Sequence, residues 1–96
     1  MKTLEPLIEE CRDKLGGVSY LKTMIHLGMH RQQWTAIQNG SGVSDANAIR
    51  IADFLEIDRM YVIAISNSLS SKDRESKAFW RRTAKTYEKK DLKMTA

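Results

Sequence analysis

Apolar residues recur along this chain at helical rather than alternating spacing. Leu4, Leu7, Ile8, Cys11 and Leu15 fall on one face of a helix. Thr3 stands where an N-cap is expected, and Pro6 is tolerated because first-turn amides have no intrahelical partner. Gly16-Gly17 supplies the stop. Ser19 reads as a second N-cap, before a short helix whose apolar set is Leu21, Met24, Ile25 and Gly28 at i, i+3, i+4 and i+7. A third helix is predicted over about His30 to Asn39, with Trp34 and Ile37 inward and Gly40 ending it. Ser41-Gly42-Val43 reads as a loop, and Ser44-Asp45 opens a fourth helix with a buried stripe of Ala48, Ile51, Ala52 and Leu55.

Asp58 is placed to cap a fifth helix carrying Tyr61, Val62, Ala64, Ile65 and Leu69. The run Tyr61 to Ile65 alone would also suit a buried strand, but no second strand is predicted for it to pair with. Ser68, Ser70 and Ser71 mark a break. A last helix over about Asp73 to Lys89 carries Phe79, Trp80, Thr83 and Tyr87 along one side. The expectation is an all-α fold of five to six helices. Residues 1–71 form the main unit, and residues 72–96 form a basic final helix and tail, either part of the same unit or a surface for a second copy or partner.

Composition narrows the class. Ninety-six residues suit one domain, and 42% apolar content with a single proline argues against disorder. One cysteine, Cys11, precludes an internal disulfide and fits a reducing compartment; its apolar stripe makes it a core residue. No run approaches the roughly 20 apolar residues of a membrane span. The first ten residues hold three acids and lack the layout of a secretory leader, so a cytoplasmic location is expected. Charge is unevenly spread. Residues 72–96 carry nine Lys/Arg against four Asp/Glu, whereas residues 1–71 carry seven against eight. Between 19 and 43 there are Lys22, Arg31, two histidines and no acid. Such a distribution favours a polyanion, because each neutralised phosphate releases counterions.

The segment Leu27 to Gly40 carries the candidate chemistry. A tight turn at Gly28 to His30 joins two short helices. The second turns Arg31, Gln32, Thr35 and Ala36 outward, with Gln33 alongside. Gln pairs bidentately with adenine and Arg with guanine in the major groove, while Ala and the Thr methyl suit a thymine methyl. The same side chains could equally form a solvated helix face; their place just after the turn favours the first reading.

From Val18 to about Asp58 the sequence resembles the Cro-type, lambda-repressor-like (XRE-like) helix-turn-helix family. The likeness rests on Leu27-Gly28 in the turn, the apolar Trp34, Ile37-x-Asn39-Gly40, the helix Ile49 to Leu55 and the Ile57-Asp58 exit. Two positions depart from the pattern: Thr23-Met24 replaces a leucine and small residue, and His30 stands where Ser or Thr is usual. The whole chain is similar to short phage-related proteins of filamentous phages and prophages, which add a basic last helix like Ser76 to Lys90.

The resemblance implies base reading by Arg31, Gln32 and Ala36, with Gln33 and Thr35 alongside. It implies phosphate contacts from Ser19, Tyr20, Lys22, His30 and Asn39, with His30 open to either role. It further implies a homodimer on a palindromic operator of double-stranded DNA, acting as a transcriptional repressor on the nucleoid of a bacterial host and needing no cofactor. The alternative is an adaptor that keeps the fold and binds a phage or host protein through its last two helices, with Phe79, Trp80, Arg81 and Arg82 at the surface. The bases there have three open readings: DNA backbone, partner surface, or solvated helix end.

Other chemistry is weaker. His26 and His30 are four apart, but the turn at Gly28 separates them and no Cys or acid completes a metal site. Glu9-Glu10 and Asp53-Glu56 lie on polar helix faces without a histidine partner or glycine-rich loop. No enzyme is expected.

Overall fold

The computed structural model describes residues 3–88, and among these every regular element is a helix. They are α1 (Glu5–Lys14), α2 (Tyr20–His26), α3 (Gln32–Gln38), α4 (Asp45–Leu55), α5 (Arg59–Ser70) and α6 (Arg74–Tyr87). The Tyr61–Ile65 run is therefore helical, as the lack of a pairing strand implied. The basic tail beyond Glu88, including Lys89, lies outside the described residues.

Four helices begin on side-chain caps, two of which, Ser19 and Asp58, were read as caps from the sequence. Ser19, Ser44, Asp58 and Asp73 accept hydrogen bonds from the amides of Lys22, Asn47, Met60 and Ser76 respectively. Each satisfies a first-turn donor that has no intrahelical acceptor. Thr3 does not act this way: α1 starts from Leu4, which makes no side-chain cap bond, with Pro6 in the first turn. Leu4 is instead fully buried, so packing fixes that end.

The helices enclose one core. Leu4, Leu7, Ile8 and Cys11 of the α1 segment meet Met24 and Leu27 around α2, Ile37 from α3, Ala48, Ile51 and Ala52 from α4, and Val62 and Ile65 from α5. α1 packs on α2 and α4, α4 on α5, and α2 on α3, while α6 runs back along α5. Burial pushes the Cys11 thiol up to about 12, as befits a small core residue.

Two expectations need correction. Ser68 is no helix breaker. It lies buried inside α5, its hydroxyl donating to the Ile65 carbonyl at 2.7 Å, and α5 runs on to Ser70. Phe79 does not share the packed side of α6. Trp80, Thr83, Ala84 and Tyr87 are buried or half-buried, but Phe79 is 52% exposed and meets Trp80 edge-on at 5.1 Å.

The loop after α3 is held by α5. Ser66 accepts the Val43 N–H at 2.8 Å and donates to the Val43 carbonyl at 2.7 Å. Gly42 sits so close to α5 that a β-carbon there would meet the Ser66 carbonyl, and would lie 2.5 Å from Ser70 Oγ. Only glycine fits this approach.

Candidate nucleic-acid interface

α2 and α3 are seven residues each, too short to be stable alone, so their ends and anchors decide their geometry. α2 starts firmly: the Thr23 hydroxyl donates back to the Ser19 carbonyl at 3.0 Å, and Ser19 Oγ accepts the Lys22 amide at 3.1 Å. Its buried residues are Thr23 and Met24, followed by Leu27 at its C-cap. The expected inward set is thereby rotated, since Leu21 and Ile25 are 43% and 63% exposed.

The turn closes with Gly28 at φ +78°, which lets the Met29 amide bond the Met24 carbonyl at 2.8 Å. Leu27 and Met29, on either side of the glycine, are both buried. A residue from α4 clamps the turn: Arg50 Nη1 donates to the Gly28 carbonyl at 3.1 Å. The clamp was not read from the sequence, because Arg50 lies 22 residues away.

Arg31 already has helical backbone angles, so the effective start of α3 is His30. Gln33 reaches back to it, its Oε1 accepting the His30 N–H at 2.8 Å, as the third-position glutamine of a capping box does. Gln33 is half-buried and this oxygen is engaged with the turn. The far end closes on Gly40, where the Ser41 amide bonds the Ala36 carbonyl at 2.9 Å.

Ile37, 1% exposed, is the buried anchor of α3. Trp34 is the second, half-buried and stacked on Tyr20 at 4.3 Å with planes 10° apart. The Arg12 guanidinium covers the Tyr20 ring at 4.8 Å, extending the stack to α1. The Tyr20 hydroxyl donates to Glu9 at 3.3 Å, so Tyr20 serves as a brace for Trp34.

With that side fixed, Arg31, Gln32, Thr35, Gln38 and Asn39 are exposed, and Ala36 is half-buried at their margin. Gln38 was not among the expected residues. The signal was present, because it is seven positions from Arg31 and three from Thr35, hence on the same face. Ser19, Lys22 and His30 are also exposed, flanking the turn side of the pair. The outer face of α3 thus offers amides, a hydroxyl and a guanidinium with no carboxylate of its own. His26 meets Phe54 edge-on at 5.3 Å.

No family model matches the chain, and no curated protein or solved structure matches it either.

Proposed function

We propose that this protein is a sequence-specific DNA-binding regulator of the lambda-repressor-like helix-turn-helix type, with α3 as the helix that enters the major groove. The observation that carries the reading is the acid-free outer face of α3, where Arg31, Gln32, Thr35, Gln38 and Asn39 stand exposed behind a clamped turn. A helix of this size fits the groove, and in a helix-turn-helix its first turn faces base edges. Arg31, Gln32 and Thr35 read bases, with Ala36 against a thymine methyl. Ser19, Lys22, His30 and Asn39 meet phosphates. Gln33 spends its Oε1 on the His30 amide, so it acts first as a cap and keeps its side-chain NH2 for a neighbouring acceptor.

One such unit spans few base pairs. Two units about 34 Å apart on a palindromic operator supply the missing specificity, as for a phage or prophage repressor in a bacterial cell. Among the described residues no helix is long and apolar enough to cross a membrane. The half-exposed Phe79 on α6 supports a second reading, an adaptor that docks a phage or host protein there.

Selection of bound fragments from random duplex DNA, followed by salt-dependent gel shifts, tests the proposal. Gln32→Ala is expected to relax preference at one base step by about 1–3 kcal/mol. Lys22→Ala is expected to weaken all sequences alike and lower the salt slope by about one unit. Failure to enrich any sequence, with no saturable shift, would leave the adaptor reading standing.

A further inference from the structure

α6 presents an outward stripe of Glu75, Phe79, Arg82 and Thr86, spaced i, i+4, i+7 and i+11, all exposed. The neighbouring flank, with Trp80 and Ala84, is the one that packs inward. Phe79 is the apolar centre of the stripe, and Glu75 and Arg82 flank it on opposite sides along the axis. Around it lies a shallow depression of about 450 Å³ lined by Glu75, Ala78, Phe79, Trp80 and Arg82 among others.

We propose that this stripe is a self-association surface, on which α6 of a second copy of the chain lies antiparallel across a twofold axis near Phe79. The charge order selects that occupant and direction. At about 1.5 Å per residue, Glu75 lies about 6 Å toward the N-terminus from Phe79 and Arg82 about 4.5 Å toward the C-terminus. Antiparallel pairing therefore brings Glu75 of each copy opposite Arg82 of the other, giving two complementary pairs around two aromatic rings. Parallel pairing would set like charges face to face. A twofold interface needs such a self-complementary patch. The α6 segment packs chiefly on α5, and the inference does not depend on whether α3 meets DNA.

A single helix pair is smaller than a standard stable interface, so dissociation in the micromolar range is expected. Sedimentation equilibrium on the full chain without DNA tests the proposal. The parent should show a monomer–dimer equilibrium, and Glu75→Arg and Arg82→Glu should each weaken it at least tenfold. An equimolar mixture of the two variants should recover dimer, since each then meets its opposite charge twice. Circular dichroism establishes that both variants remain helical. A parent that stays monomeric at several hundred micromolar, or single variants that dimerise like the parent, would overturn the surface. A mixture that fails to recover dimer would overturn the antiparallel pairing.

Discussion

α3 is seven residues long and rests on α2, whereas α6 is fourteen and runs back along α5. α6 is held along its length by Trp80 and Ala84, and by Lys77, whose ammonium donates to the Ser68 carbonyl at 3.1 Å. α3 has no such length to spend. It is pinned at its start by Gln33 on the His30 amide, at its end by the turn on Gly40, and between them by Ile37 and the Trp34–Tyr20 stack. A helix secured at its ends and on one narrow side can keep five side chains in water. The same economy makes α3 depend on few residues.

The sharpest way to break this contrast is Ile37→Ala. Truncating a fully buried isoleucine removes its transfer energy and leaves a cavity, together about 3 kcal/mol. Urea denaturation followed by circular dichroism should show a lower midpoint. Hydrogen exchange on the variant should accelerate at the α3 amides more than at those of α6. Equal acceleration in both helices would mean that α3 is not the separately fastened element described above.

Gly42→Ala attacks the exit from α3. The new methyl would press on the Ser66 carbonyl and on Ser66 Oγ at 2.8 Å, against the hydroxyl that satisfies both polar groups of Val43. Overpacking of this kind costs about 2 kcal/mol, measurable as a shift in denaturation midpoint. An unchanged midpoint would show that the loop can back away from α5, and that α3 is not held from that side.

Much of this scheme was legible before any coordinates. The caps Ser19 and Asp58 carry short side-chain acceptors just ahead of apolar periodicity, so local chemistry alone locates them, and Ser44 and Asp73 were placed at the starts of their helices without being read as caps. Ile37 and Gly40 were equally plain. The failures share a cause, which is that competing faces are decided by partners distant in sequence. α2 admits two helical stripes, Leu21-Met24-Ile25-Gly28 and Tyr20-Thr23-Met24-Leu27. The second wins because Tyr20 stacks on Trp34 and Thr23 buries its hydroxyl on the Ser19 carbonyl. Counting Thr23 as polar hid that stripe, as counting Ser68 as a breaker hid the length of α5. The Arg50 clamp likewise depends on tertiary approach.

Gln33→Ala sharpens the account of the α3 start. It removes an acceptor from the His30 amide, a loss of about 1 kcal/mol for a cap. The expected signature is a small drop in denaturation midpoint with faster exchange at His30. In the DNA assay, all sequences should weaken together, since a less ordered helix start disturbs every contact. A change confined to one base step would instead make Gln33 a reading residue.

The smallest effect concerns the start of α6. Asp73 accepts the Ser76 amide at 2.9 Å, and this bond holds its carboxyl below the ordinary carboxylate range. A carboxyl whose folded pKa is lowered contributes stability above its unfolded value. That contribution is lost as pH falls through the folded value, so the α6 cap should weaken on acidification. Asp73→Asn keeps an acceptor at the cap but has no proton to gain. Other carboxylates titrate over the same range, notably Asp53, whose pKa is lowered by its bidentate hydrogen bonds to Arg59. They are common to both proteins and cancel in the difference. Thermal midpoints of the parent and Asp73→Asn, compared from pH 6 downward, should therefore converge as the cap is protonated. A gap that stays constant with pH would mean that the packing of α6 on α5, rather than the charge at its first turn, already fixes where this helix begins.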